Sequence, residues 1–128
     1  MLPRMLAKLQ ELAYFLLRFV AGALFAIHGA QKVFGVLGVP RQELVSQAGI
    51  GGLLELVTGA MIALGIFTSW AAFLASGTMA VAYIQFHWKL KMGTAFLPMV
   101  NQGELAVLYC FVFFFMACRG GGKMSIRD

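Results

Sequence analysis

The chain has 128 residues, of which 61% are hydrophobic and only 12% are charged, and its formal net charge is +5. Soluble domains carry about 25% charged residues, and a chain this short has too little interior to bury so much apolar side chain. Together with a mean hydropathy of +0.85, these values exclude an ordinary water-soluble domain. They predict a single membrane-embedded domain over residues 1–128.

Four apolar runs follow one another along the chain, each close to the roughly 20 residues that a helix needs to cross a bilayer. Pro3, Pro40 and Pro98 all fall outside these runs, as expected when the runs are helical. The predicted fold class is therefore all-α, an integral membrane four-helix bundle. The expected spans are residues 11–34, 48–66, 69–88 and 102–119.

Four spans place both chain ends on one side of the membrane, which we call the terminal side; the opposite side is the loop side. The terminal side carries five basic residues, Arg4, Lys8, Arg119, Lys123 and Arg127, and the loop side carries four, Lys32, Arg41, Lys89 and Lys91. By the positive-inside rule this margin of one favours cytoplasmic termini. The positive charge suits anionic lipid headgroups, and no basic stripe with stacking aromatics indicates nucleic-acid binding.

Polar residues gather towards the loop side in every predicted span. With a rise of 1.5 Å per residue, His28 and Glu55 lie about 9 and 10 Å inside the loop-side ends of spans one and two. Gln85 and His87 close span three, and Glu104 opens span four. The sequence therefore predicts a shared polar pocket in one leaflet, the extracytoplasmic one if the termini are cytoplasmic.

Residues 25–35, FAIHGAQKVFG, place His28, Gln31 and Lys32 three and four positions apart, so a helix carries them on one face. Inside a bilayer such a face needs polar partners. For Glu55, within GGLLELVTGA, an ion pair with Lys32 is the structural alternative to a ligand role. For His28 the structural alternative is an ordinary hydrogen bond within the protein.

The membrane interface provides another structural explanation for several of these residues. Lys32, Gln85 and His87 are close enough to the headgroups to reach them, and Glu104 can be a first-turn carboxylate favoured by the helix dipole. Arg18 is the one comparably costly residue in the other leaflet, and we expect it to reach the headgroups or to pair locally.

Three motifs resemble the DoxX family of small four-helix bacterial membrane proteins. They are R-x3-G-x2-F-x2-HG-x2-K-x-FG at residues 18–35, GLLELVTGAMIALGIFT at 52–68 and N-x-GEL at 101–105. The family takes its name from a subunit of a thiosulfate:quinone oxidoreductase, so the resemblance implies a membrane redox system in the bacterial inner (plasma) membrane. His28, Lys32, Glu55, Asn101 and Glu104 match the family pattern.

A quinone is the ligand that we expect, because its carbonyl oxygens need donors and its reduction takes up protons. We expect His28 to donate to a carbonyl, Glu55 and Glu104 to handle protons, and Lys32 to stabilise negative charge. The other expected ligand-binding residues are Gln31, Gln85, His87 and Asn101. No metal site is predicted, since H-x3-H, C-x-x-C and H-E-x-x-H patterns are missing from the sequence.

Electron transfer would require a partner that carries a redox cofactor, so the expected partners are a redox subunit or further copies of the chain, besides membrane lipids. Whether this chain itself belongs to an enzyme stays open. The alternative is a non-catalytic accessory or assembly subunit, in which the polar cluster fixes the helices or docks a partner. A small transporter for protons or weak acids is a third possibility.

Overall fold

The computed structural model describes all 128 residues, 73% of them helical and none in a strand. Its helices are α1 (Leu2–Ala7), α2 (Gln10–Phe34), α3 (Gln47–Leu64), α4 (Thr68–Ala82), α5 (Pro98–Asn101) and α6 (Glu104–Arg119). A π-helical turn, Tyr83–Trp88, continues α4, and a 3-10 turn covers Gly93–Phe96. The all-α prediction is confirmed. The four apolar runs coincide, to within two residues at each end, with α2, α3, α4 plus its π-helical turn, and α6.

The outer surface of the molecule is apolar along all four long helices. Large hydrophobic side chains such as Phe19, Leu53, Phe73 and Phe111 are each between 46% and 64% exposed. Soluble monomers rarely expose apolar surface on this scale. By length and hydropathy, α2 and α3 are each able to cross a membrane, which supports a membrane location for the chain.

Helices α2 and α3 touch backbone to backbone along what we call the glycine seam, formed by Gly22 and Gly29 of α2 and by Gly52 and Gly59 of α3. In each helix the two glycines are seven residues apart, about two turns, and so lie on one face. A Cβ atom on Gly22 or on Gly59 would lie 2.5 Å from a backbone nitrogen of the facing helix. Only glycine permits this approach, which maximises packing contact between the two helices.

Helices α4 and α6 complete the core. Ala71, Ala72 and Ala75 of α4 are fully buried, and the Ser76 hydroxyl donates a hydrogen bond of 2.7 Å to the Cys110 carbonyl of α6. Phe25 of α2 packs against two aromatic rings of α6, with centroids 4.8 to 5.2 Å away. All four long helices therefore share one apolar core.

On the terminal side, residues 120–128, which we call the tail, fold back across the ends of α2 and α3. Arg18 is 1% exposed, and its guanidinium donates to the carbonyls of Gly121 (2.5 Å) and Met124 (2.9 Å). Arg18 therefore does not reach the headgroups; it pairs within the protein, with the tail carbonyls and with the Phe15 ring, whose centroid is 5.3 Å from the guanidinium carbon. The tail supplies carbonyls to this side chain from more than 100 residues away.

The tail is also held by the carboxylate of Asp128, which accepts a hydrogen bond of 2.9 Å from the Thr68 amide and another from the Gly121 amide. Partial burial raises the pKa of Asp128, but these hydrogen bonds and the nearby Arg18 charge outweigh that effect. The pKa of Asp128 therefore lies below its ordinary value of 3.8.

Alanine at Gly22 is expected to destabilise the protein. The added methyl group would meet the backbone of α3 at 2.5 to 2.9 Å, and such overpacking typically costs about 1–3 kcal/mol. Gly77→Ala is the matched control, because no atom lies within 4 Å of its Cβ position and alanine favours the helix. Thermal unfolding in mild detergent should give a lower Tm for Gly22→Ala only; equal melting temperatures would contradict the packing described for the glycine seam.

The attachment of the tail is expected to weaken in acid. Because the pKa of Asp128 is lower in the folded protein, its stabilising effect is complete above pH 3.8 and is lost as the pH falls through the folded-state value. Hydrogen-exchange protection factors of the Thr68 and Gly121 amides should decrease across that window. In Asp128→Asn the same amides should be weakly protected even at neutral pH, and full protection in that variant would refute this role of the carboxylate.

Candidate functional site

A cavity of about 1030 Å³ lies among α2, α3, α4 and α6, near the loop side. Its walls are mainly apolar, with 15 hydrophobic residues among the 25 that line it. Ligand pockets of roughly this size and character are typical binding sites for small molecules. The lining residues with side chains able to bond to a ligand are His28, Lys32, Gln47, Glu55, Ser76, Thr78, His87, Gln102 and Tyr109.

An ion pair between α2 and α3 forms the polar centre of this cavity. The Lys32 Nζ atom is 2.7 Å from Oε1 of Glu55. The pair is possible because the glycine seam brings the helices together, and the Cβ of Lys32 lies 2.6 Å from where a side chain on Gly52 would begin. The ion-pair alternative foreseen for Glu55 is therefore present in the structure.

Only one of the two carboxylate oxygens of Glu55 has a hydrogen-bond partner. The residue is 3% exposed, and its second carboxylate oxygen, Oε2, is buried and has no hydrogen-bond partner. A buried polar atom without a partner costs free energy, so native proteins rarely leave one unpaired. Since Glu55 lines the cavity, a ligand with a donor group could bond to Oε2.

His28 lies one helical turn before Lys32 and lines the same cavity. The ring is half-buried, and it packs edge-on against Tyr109 of α6 with centroids 6.3 Å apart. No hydrogen bond ties either ring nitrogen to the protein, in contrast to His87, whose Nδ1 is 3.4 Å from the Asn101 carbonyl. The structural alternative for His28, a hydrogen-bonded core histidine, is thus not what the structure contains.

Tyr109 is a cavity residue that the sequence did not indicate. It is 7% exposed and stacks on Phe113 with centroids 5.3 Å apart, so its hydroxyl is the polar end of an aromatic wall beside His28. The available signal was a tyrosine in the middle of an otherwise apolar run, LYCFVFFF. In lipid, the polar end of such a residue needs a partner.

Several predicted site residues lie outside the cavity lining. Gln85 accepts a hydrogen bond from Gln47, and Gln31 is half-buried on α2 without lining the cavity. Asn101 donates to the Tyr83 hydroxyl (3.0 Å) and to the Ala95 carbonyl (2.8 Å), so it shapes the connection before α6.

Glu104 is exposed on the first turn of α6, as its structural alternative foresaw, and it does not line the cavity. The structure thus groups His28, Lys32, Glu55 and His87 around the cavity, and it leaves Gln31, Gln85, Asn101 and Glu104 outside.

The π-helical turn brings His87 and Phe86 to the rim of this cavity. Its wider coil is visible in the hydrogen bond from the Lys89 amide to the Ile84 carbonyl, five residues back, at 2.7 Å. Such turns are frequent at functional sites. The turn also lets the chain leave α4 and enter the segment that leads to α6.

The DoxX family pattern matches residues 13–88, which include His28, Lys32, Glu55 and His87. An uncharacterized protein of Haemophilus influenzae is 34% identical over 127 aligned residues, covering 90% of each chain. No solved structure matches. More than half of the chain follows the family pattern, and the chain therefore belongs to the DoxX family.

Proposed function

We propose that the protein is an integral membrane protein with four spans whose cavity binds a quinone or a similar small molecule, as a subunit of a respiratory or redox complex in the bacterial inner membrane. The observation that carries the proposal is the unpartnered Oε2 of Glu55 in a cavity of about 1030 Å³ with apolar walls. The reduced form of a quinone has an apolar body and two hydroxyl donors, so it matches both features.

The membrane location is supported by helix length as well as by hydropathy. Helix α2 has 25 residues, α3 has 18, and α4 with its π-helical turn covers residues 68–88. At 1.5 Å per residue, even the 16 residues of α6 extend about 24 Å, close to the thickness of the hydrocarbon core of about 30 Å.

A bound quinone would supply the capacity to accept electrons and protons. The residues of this chain would hold and orient it: His28 can donate a hydrogen bond from one ring nitrogen to a carbonyl oxygen. Oε2 of Glu55 can accept a hydrogen bond from a hydroxyl of the reduced ligand and exchange a proton with it, while Lys32 stays paired with Oε1 and can stabilise negative charge on the ligand. Because the walls are mainly apolar, these groups are the ones placed to exchange protons with the ligand.

A second candidate function is a non-catalytic accessory or assembly subunit. The observation that favours it is the half-buried Lys32–Glu55 ion pair at 2.7 Å, because such a pair between two helices also serves to fix their register. In that case the cavity would have no ligand, and the polar cluster would hold α2 against α3 so that a partner subunit can dock.

Quinone binding is the first test of the proposal. We expect the full chain in lipid nanodiscs to bind a lipid-soluble quinone, and His28→Phe to raise its Kd by about tenfold, the loss of roughly one hydrogen bond. Glu55→Gln should raise the Kd of the corresponding quinol by a similar factor, since it replaces the charged oxygen that accepts a hydrogen bond from the ligand hydroxyl with a neutral amide. Glu104→Gln is the matched control and should leave the Kd unchanged, because Glu104 lies outside the cavity.

The same variants separate the two candidate functions. Partner subunits that co-purify with the wild type should still co-purify with Glu55→Gln if the site binds ligand. If the wild type binds no quinone and Glu55→Gln loses its partners, the accessory function replaces the first proposal.

The orientation of the chain in the membrane provides another test of the proposal. Both termini are expected in the cytoplasm and the connection at residues 35–46 in the periplasm, because the terminal side has the larger share of basic residues. A fluorescent protein fused after Asp128 should therefore fluoresce, and alkaline phosphatase fused after Glu43 should be active. If the two reporters are exchanged, neither should be active. Activity of both exchanged reporters would show that the orientation is the opposite of the proposed one.

A further inference from the structure

We propose that the gap between α3 and α4 is a lateral portal, through which a long apolar chain on the bound ligand extends into the bilayer. This inference rests on the function proposed above, and it specifies the ligand as a quinone with an isoprenoid chain. We define the portal by Gly51 and Leu54 of α3 and by Leu74, Thr78 and Val81 of α4, all of which line the cavity.

On the terminal side, α3 and α4 are closely packed. The two helices are joined by a short connection between Leu64 and Thr68, and Ile62, Ala71 and Ala72 beside it are at most 1% exposed. No ligand can pass between the helices here, so any lateral opening must lie towards the loop side.

Towards the loop side the same two helices leave a gap. Gly51 lies four residues before Glu55 and therefore shares its helix face. A Cβ built on Gly51 meets no atom within 4 Å, whereas one built on the neighbouring Gly52 would contact the Lys32 side chain. The face of α3 that turns towards the cavity is thus open at Gly51 and closed at the glycine seam.

The walls of the gap connect the cavity to the outside of the molecule. Leu54, Leu74 and Val81 are 38%, 53% and 49% exposed, yet each also lines the cavity. Ile50, 51% exposed, extends this wall. An apolar chain in the gap would therefore have hydrocarbon contacts along its whole length, from the cavity to the surrounding lipid.

The two ends of the gap differ in polarity, which sets the orientation of the ligand. Inside lies Oε2 of Glu55, buried and without a partner, on a residue that is 3% exposed. At the outer end, the exposed side chains of Leu54, Leu74 and Val81 are all apolar. A ligand with one polar ring and one long apolar chain satisfies this arrangement, with the ring at Glu55 and the chain in the portal.

The test compares two quinones that share one headgroup, one with a short isoprenoid chain and one without a chain, on the full protein in phosphatidylcholine nanodiscs. Gly51→Leu should raise the Kd of the chain-bearing quinone by about tenfold, which equals about 1.4 kcal/mol, and that of the chainless quinone by less than about threefold. Gly51→Ala should have a smaller effect than Gly51→Leu, because its methyl group occupies less of the gap.

Ala60→Leu is the matched control, since Ala60 is exposed on the same helix and does not line the cavity; it should change neither Kd. Gly51→Leu should fold normally, because the site has open space and leucine favours the helix over glycine. Its Tm checks this.

If Gly51→Leu weakens the binding of both quinones equally, or of neither quinone, the portal is wrong and the proposed function still stands. Failure of the wild type to bind either quinone overturns both.

Discussion

The close approach of α2 and α3 along the glycine seam is the constraint on which the rest of the structure depends. Between helices in lipid there is little hydrophobic driving force, so association depends on packing and polar contacts. The seam provides the packing and, because the backbones touch, it also brings Lys32 of α2 to 2.7 Å from Glu55 of α3. The polar centre of the cavity is thus a consequence of four glycines, and a larger residue in the seam would separate the charges as well as the helices.

The two ends of the helix assembly each contain a buried charge, in different surroundings. On the terminal side the Arg18 guanidinium donates to fixed backbone carbonyls of the tail, which immobilises it and gives it a structural role. Towards the loop side Glu55 has one partner and one free oxygen. Arg18 also has one buried atom without a partner, Nε, but it does not line the cavity, whereas Glu55 does. This contrast is the physical reason for placing the function at Glu55 and not at Arg18.

The sequence predicted the helix bounds well and the direction of the side chains poorly. Helix bounds and the positions of His28 and Glu55 along their helices follow from hydropathy and from the rise per residue, which are local properties. Whether a side chain turns inward depends on rotation about the helix axis and on neighbours distant in sequence. For that reason Glu104, predicted in the same leaflet, lies outside the cavity, Tyr109 was missed, and the partners of Arg18 in the tail could not be foreseen.

The charge balance of the cavity bears on which ligand suits it. Lys32 and Glu55 neutralise each other, so the pair contributes no net charge to attract an ion out of water. A small anion would lose its hydration on entering and find no uncompensated positive group in return, which makes its transfer costly. A neutral ligand with hydrogen-bonding ends loses far less hydration and gains the apolar walls. The proposed site therefore suits the lipid-soluble reactant of a redox reaction, and a water-soluble electron donor would have to react on a partner subunit.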